Sequence, residues 1–295
     1  MNKFIILIPL FNDWKSVSKL LDKIDQETIL WKAKVSVIIV NDASSEERSL
    51  TDKSFKKLQS VKIINMKENR MHQRCIAAGI KYICKNEDFD RLIVMDADGE
   101  DRPEELNSFF EKAKKNPSMT ITGNRFKRSE GVVFKTFYEI HKILTLIFTG
   151  KLIKFGNFTC LTNVHAKQLV SKPYLWNSYS SSIVRTINER TSIPSIRGSR
   201  YVMPSKMNFL SLIFHSLSII SVFRNTVAIR TILFIFIYMF LVYKNISILT
   251  VAPVFFLIVF LLTILKISTR SNINELDQSL YNILSVDILG EINRK

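Results

Sequence analysis

The chain has 295 residues, with 42 Lys and Arg against 26 Asp and Glu, and a formal net charge of +16, yet 47% of it is hydrophobic. Nucleic-acid binders match that charge but seldom that apolar content, so the composition points away from nucleic acid and toward a membrane surface. Three cysteines, Cys75, Cys84 and Cys160, show neither metal-site spacing nor an even-numbered disulfide framework, as in a reducing compartment.

The opening apolar run is short, and no small-residue cleavage site follows before Asn12-Asp13-Trp14-Lys15, so it reads as a strand rather than a leader. Residues 4–8, 35–40, 61–64, 92–95 and 119–122 are strand candidates rich in Val and Ile. After Ser16, a candidate cap, Val17, Leu20, Leu21 and Ile24 fall on one helical face; Ile76, Ala77, Ile80 and Ile83 do the same later. This alternation predicts an α/β domain with a mainly parallel sheet, whose ligands lie beyond the carboxyl ends of the strands.

Three of those ends are polar: Pro9-Leu-Phe-Asn-Asp13, Asn41-Asp-Ala-Ser44, and a run opening at Asp96. The last places Asp96, Asp98, Glu100 and Asp101 within six residues, between an apolar strand and Pro103, which opens a helix. Like charges this dense need a counter-ion. Alternating carboxylates suit a hard cation, Mg²⁺ or Mn²⁺, that in turn holds a diphosphate.

Residues 112–154 contain ten Lys or Arg and only two Glu. Lys112, Lys114 and Lys115 suit a solvated face, whereas Arg125 and Arg128 follow a strand on the side of the carboxylates and suit phosphate oxygens. The apolar stretch Ile143, Leu144, Leu146, Ile147 and Phe148, flanked by Lys142 and Lys151, fits either core packing or a helix in the membrane interface. Residues 227–243 and 246–265 are long apolar runs separated by Lys244-Asn245, which predicts a transmembrane hairpin. The Lys and Arg excess places the amino-terminal domain and the tail on the cytoplasmic side of an inner membrane. The expected divisions are a catalytic-type domain at 1–204, a juxtamembrane amphipathic segment at 205–226, the hairpin at 227–267 and a cytoplasmic tail at 268–295.

The order Ile8-Pro9-Leu10-Phe11-Asn12-Asp13, Val40-Asn41-Asp42-Ala43-Ser44, His72-Gln73, Asp96-Ala97-Asp98, Gly123-Asn124-Arg125 and Arg197-Gly198-Ser199-Arg200 resembles the family 2 inverting glycosyltransferases. These have the GT-A nucleotide-sugar fold. The nearest likeness is to the membrane-bound branch of dolichol- or undecaprenyl-phosphate mannosyl- and glucosyltransferases, over roughly residues 1–270. The resemblance implies a donor site in which Pro9, Asn12 and Asp13 border base and ribose, although the family usually has Glu at the last position. It implies that Asp42, preceded here by Asn41 instead of Asp, accepts a hydrogen bond from the nucleobase. His72, after Met71 where the branch often has Gly, is either a donor contact or a satisfied loop histidine.

By the same resemblance Asp96 lies near ribose and metal, and Asp98 is the principal ligand. Glu100 stands where the branch often has Gln as a further ligand. Arg125 binds a donor or acceptor phosphate with Arg128 and Lys135 assisting, and Arg197 and Arg200 form a basic cluster at the acceptor side.

The activity implied is inverting transfer of a hexose from a UDP- or GDP-linked sugar to a polyprenyl phosphate, with Asp98, Arg125 and Arg200 central. Metal and arginine would stabilise the departing nucleoside diphosphate. Soluble relatives supply a general base for a hydroxyl acceptor from an acidic pair late in the domain. Between 156 and 200 this chain has only Glu189. A phosphate acceptor is already anionic and needs no base. The alternatives are transfer to a saccharide or lipid hydroxyl with Glu189 or Asp101 as base, and a non-catalytic membrane scaffold.

Overall fold

The computed structural model describes residues 2–50, 54–127, 132–202 and 209–291. Its first half is built from β1 (Lys3–Leu10), α1 (Trp14–Thr28), β2 (Lys34–Asn41), β3 (Leu58–Met66), α2 (His72–Asn86), β4 (Arg91–Val94), α3 (Leu106–Lys115) and β5 (Thr120–Lys127). Then come α4 (Val132–Thr149), β6 (Phe155–Thr162), α5 (Asn163–Val170), α6 (Tyr179–Thr186) and β7 (Arg190–Ile196). The last part holds α7 (Phe209–Ser221), α8 (Arg224–Val242), α9 (Ile248–Ser268), α10 (Ile273–Gln278) and β8 (Ile283–Glu291).

The strands form one sheet in the order β7-β5-β6-β4-β1-β2-β3-β8. Strands β1 to β4 are mutually parallel, with Leu10 opposite Asn41 and Leu7 opposite Val94. β6 runs antiparallel between β4 and β5, and β8 antiparallel beside β3. A continuous apolar run such as β1, buried from Phe4 to Leu10, belongs in a sheet covered on both faces. α1 and α3 cover one face, with Val17, Leu20, Leu21 and Ile24 beside Phe109 and Phe110. Ile76, Ile80 and Ile83 of α2, with Leu169, Ile183 and Leu276, cover the other.

The chain leaves β1 in one direction through β2 and β3, then returns to set β4 on β1's other side. A switch of this kind leaves a crevice between the adjacent connections, at the carboxyl ends of β1 and β4. All three polar strand ends read from the sequence border it.

The five expected strands correspond to β1 through β5. α1 starts at Trp14, with Asp13 rather than Ser16 in the capping position, and Asp13 makes no side-chain capping bond. β6, β7 and β8 were not anticipated. The segment read as a tail after residue 268 turns back as α10 and pairs β8 with β3, Ile63 opposite Asp287.

α8 and α9 are the two helices, among the described residues, long and apolar enough to cross a bilayer. Only 11% and 6% of their apolar windows are buried inside the protein, which is unlike the core helices of a soluble domain. α4 and α7 lie against them. α4 leaves Ile140, Ile143, Leu144, Leu146 and Ile147 exposed, and α7 leaves Phe209, Leu210, Ile213 and Phe214 exposed, so the stretch at 143–148 does not enter the core apart from Phe148. Phe148, Val184, Ile220, Val227 and Ile264 form a third apolar cluster that joins the sheet domain to the hairpin.

One polar contact reinforces that joint. α4 ends at Gly150, whose φ of +69° is the left-handed conformation that commonly ends helices. The Arg230 guanidinium from α8 donates to the carbonyl of Ile147 (2.7 Å) and, at 3.3 Å, to that of Leu146, which also accepts from Gly150 N. Arg230 packs so closely on Gly150 that a Cβ there would lie 2.7 Å from Nη2. Capping of a helix carboxyl end by a cation contributes about 0.5–2 kcal/mol. Arg230→Ala is therefore expected to lower the thermal midpoint of the detergent-solubilised protein by several degrees, whereas Lys244→Ala, at the hairpin tip, should leave it unchanged; thermal unfolding of both variants checks this.

Candidate active site

The acidic run after β4 folds into a turn that spreads its carboxylates in different directions. Met95 N still donates to Leu7 O, which keeps the strand in register to its last residue. Gly99 adopts φ +89°, and a Cβ there would lie 2.6 Å from the Tyr201 ring, so both conformation and space require glycine. Asp98 Oδ1 accepts from Glu100 N (3.0 Å), and Asp101 Oδ2 accepts from Asp96 N (2.9 Å), which closes the turn on itself.

Each carboxylate then meets its own cation or donor. Asp101, 2% exposed, receives Arg125 Nη2 from β5 at 3.1 Å. Asp96 accepts from Asn157 Nδ2 of β6 (3.0 Å) and lies 3.1 Å from His72 Nε2, at the start of α2. Asn157 is itself oriented by Gln73 Nε2 (3.3 Å), and Gln73 Oε1 accepts from Tyr179 N (2.7 Å). Asp98 pairs with Arg200 Nη2 at 2.7 Å, and Glu100 pairs with Arg197. The loop after β7 that carries these arginines is fixed over the turn by Gly198 N donating to Glu100 O and Tyr201 N donating to Asp98 O, both at 2.9 Å.

These neighbours separate the acids electrostatically. Burial alone would raise Asp96, but the charges of His72 and Arg125 and the bond from Asn157 hold it well below the usual carboxylate range. Burial, followed by repulsion from Asp96 and Glu100, pushes Asp98 up to about 6. Burial and the Asp96 charge push Asp101 up to about 7, with Arg125 opposing. Burial would lower His72, but Asp96 outweighs it and the imidazole is raised toward its cationic form.

Beyond the neighbouring strand ends lie the expected donor-side residues. Pro9 is the penultimate residue of β1, and Asn12 adopts φ +50°. The Asn12 side chain is occupied in joining the β1 and β2 loops: its amide donates to Ser45 Oγ (3.0 Å), and its Oδ1 accepts from Ser45 N (2.8 Å) and Glu46 N (3.1 Å). Asp42 is 2% exposed and accepts from Arg70 N (2.9 Å); burial raises its carboxyl, with Arg70 and Met71 amides and the His72 charge opposing. It anchors the loop before α2 and borders a cavity beside Arg70 and Arg74.

The structure thus brings together Asp96, Asp98, Glu100, His72, Arg125, Arg197 and Arg200. Arg128 lies outside the described residues, and so does the side chain of Lys135, which stands in the first turn of α4. Two residues central to the arrangement were not singled out from sequence for these roles: Asn157, and Asp101 as Arg125's partner. Arg125 is not free for a phosphate, because it is committed to a buried carboxylate. Glu189 is at the opposite end of the sheet. Its carbonyl accepts from Thr120 N at the first residue of β5, about 17 Å of extended chain from Arg125.

The three expected metal ligands do not converge; among the described residues no three His, Cys, Asp or Glu side chains gather as a cation site. The donor set nevertheless fits Mg²⁺ or Mn²⁺, which take one or two carboxylates and complete their shell with water and phosphate oxygens. Asp98, with Asp96 behind it, supplies those carboxylates, whereas Glu100 is turned toward Arg197.

A mainly parallel sheet with a switch-point crevice lined by acids, and long cationic side chains above it, is an α/β fold of the GT-A type. Residues 5–178 match the model of Glycosyl transferase family 2, and the chain belongs to that family. Among curated relatives, the undecaprenyl-phosphate 4-deoxy-4-formamido-L-arabinose transferase of Klebsiella pneumoniae (strain 342) is 23% identical over 219 residues, and that of Salmonella choleraesuis (strain SC-B67) 24% over 221. Each alignment takes in 72% of this chain and 65% of the relative, so the chain matches under two thirds of those proteins' length.

Among solved structures, glucosyl-3-phosphoglycerate synthase from Mycobacterium tuberculosis, in complex with Mn²⁺, UDP-glucose and phosphoglyceric acid, aligns with TM-score 0.53 at 9% identity, over 77% of this chain and 80% of that one. Mannosyl-3-phosphoglycerate synthase from Rubrobacter xylanophilus aligns with TM-score 0.54 at 11% identity, over 78% and 74%. At these identities the likeness concerns the fold.

The Asp101–Arg125 pair predicts a stability effect separable from chemistry. Asp101→Asn leaves a buried guanidinium with only a neutral partner and is expected to cost about 2 kcal/mol or more. Denaturant unfolding should show it as a lower midpoint with unchanged slope.

Proposed function

We propose that the protein transfers a glycosyl group, with inversion, from a UDP- or GDP-linked sugar to the phosphate of a polyprenyl lipid at the cytoplasmic face of a membrane. The observation that carries this reading is that the acidic turn lies under two arginines, Arg197 and Arg200, while among the described residues no acidic side chain from the late part of the domain reaches it. A phosphate acceptor needs cations to hold it and no base, whereas a hydroxyl acceptor needs a general base. The apolar faces of α4 and α7 and the α8–α9 hairpin support delivery of a lipid to the crevice. The relatives' names, which include undecaprenyl phosphate, support the same acceptor class.

In this reading Asp98, with Asp96, would hold a divalent cation, which would supply Lewis-acid neutralisation of the donor diphosphate. His72 and Asn157 keep Asp96 ionised and aligned. Arg200 and Arg197 leave their carboxylates to grip phosphate oxygens, in bidentate fashion where geometry allows. The acceptor phosphate oxygen attacks the anomeric carbon directly, the bond to the nucleoside diphosphate breaks, and configuration inverts. The sugar is proposed as a hexose; the relatives' names carry a formamido-pentose, so a donor panel should span both ring types.

Two outcomes check this reading. Asp98→Ala is expected to abolish transfer while leaving the thermal midpoint near wild type; full activity of that variant in the presence of a chelator contradicts the metal assignment. Arg200→Ala should slow transfer to the lipid by about tenfold or more, the worth of a charge-assisted contact of roughly 1.5–3 kcal/mol, whereas Glu189→Gln should cost little. An inactive Glu189→Gln beside a tolerant Arg200→Ala would favour a hydroxyl acceptor instead.

A further inference from the structure

The segment that follows the hairpin does more than extend the sheet. Lys67 N donates to Asn282 O (2.7 Å), Asn282 Nδ2 donates to Glu68 O (2.9 Å), and Lys67 Nζ donates to Tyr281 O (2.9 Å). These bonds clip the start of β8 to the loop that carries Arg70. On the helix side, Glu275 Oε2 accepts from Trp176 Nε1 (2.7 Å) and pairs with Arg74 Nη2 (3.2 Å), and the Arg74 guanidinium lies over the Trp176 ring. Between the two attachments is a cavity of about 340 Å³, bordered by Asp42, Arg70 and Arg74 on one side and by Gln278, Ser279 and Asn282 on the other. That size is in the range of small-ligand pockets.

Two polar groups at this cavity have no partner among the described residues. The Ser279 hydroxyl is buried, its residue 4% exposed, and Arg74 Nε is buried while Nη2 of that guanidinium pairs with Glu275. An unmatched buried donor costs free energy, so both positions suit a ligand with acceptors. The remaining lone pairs of Asp42 suit a ligand N–H. Asp42 and the Asp96 turn follow strands on either side of β1, roughly 10 Å apart across the sheet. A ligand reaching from one to the other has a hydrogen-bonding ring at one end and a diphosphate at the other.

We propose that residues 275–282, after the membrane hairpin, complete the nucleobase pocket of the donor, and that Ser279 and Arg74 act with Asp42 to select an imide-type base. Uracil presents a ring N–H between two carbonyls, matching one acceptor and two donors; guanine presents the N–H beside one carbonyl and an amino group, matching the acceptor and one donor. Cytosine and adenine present an unprotonated ring nitrogen to Asp42 and are disfavoured. This rests on the nucleotide-sugar reading above.

The test is direct binding of UDP, GDP, CDP, ADP and inorganic pyrophosphate to the full chain in detergent, with Mg²⁺, for wild type and Ser279→Ala. The expected result is that wild type binds UDP or GDP more tightly than CDP and ADP. Ser279→Ala should weaken the preferred nucleotide about five- to tenfold and leave pyrophosphate unchanged. Equal binding of nucleotides and pyrophosphate by wild type overturns the inference, as does a Ser279→Ala variant that alters neither ligand or both alike. Sugar transfer that persists with Ser279-independent binding sinks this inference alone. Ser279-dependent nucleotide binding without transfer from any nucleotide sugar sinks the transferase reading and leaves the pocket standing.

Discussion

Four carboxylates in six residues at a buried strand end are the constraint around which the rest of the site is arranged. Two unit charges 4 Å apart repel by about 4 kcal/mol at an effective dielectric of 20, so the turn cannot exist without nearby cations. The fold brings four of them from three places: Arg125 from β5, His72 from α2, and Arg197 and Arg200 from the loop after β7. Two of these partnerships are structural and two are exchangeable. Asp101–Arg125 is sealed inside, whereas the partners of Asp98 and Glu100 sit on a loop tied to the turn mainly by two backbone hydrogen bonds. In the proposed reaction a cation or a phosphate arriving at the crevice would compete for the second kind without disturbing the first.

The same economy joins the site to the membrane helices. Val184, near the end of α6, packs in the cluster that contains Val227 of α8 and Ile264 of α9, while Tyr179 at the start of α6 orients Gln73 and, through it, Asn157 and Asp96. Arg230 fixes the end of α4 from within α8. Movement of the hairpin relative to the sheet domain therefore has a short packed route to the acidic turn, through α6.

Much of this was legible in the sequence. Buried parallel strands are written as uninterrupted Val and Ile runs, and that signal found β1 through β5; the polar strand ends found the crevice. What failed has identifiable causes. β6 mixes Gly156, Asn157 and three hydroxyl or thiol residues into its apolar pattern, so Asn157 was invisible as a partner of Asp96. β7 contains Pro194, which argues against a strand unless it lies at a sheet edge, as β7 does. β8 pairs with residues 217 to 231 positions earlier, beyond the reach of any local pattern. Sequence placed Arg125 on the correct side of the sheet but could not show that Asp101 already holds it, because side-chain partners across a turn follow from backbone geometry, not from spacing. Glu189 is the converse case: near the site in composition, it is displaced from it by the length of β5.

The most direct measurement is incubation of the membrane-embedded full chain with labelled UDP- and GDP-linked sugars, hexoses and pentoses, together with undecaprenyl phosphate, followed by analysis of the lipid fraction. The account predicts a chelator-sensitive, single-sugar lipid phosphate, labile to mild acid and inverted at the anomeric carbon relative to the donor. A product joined through a saccharide or lipid hydroxyl, or no lipid-linked label from any donor, would contradict it.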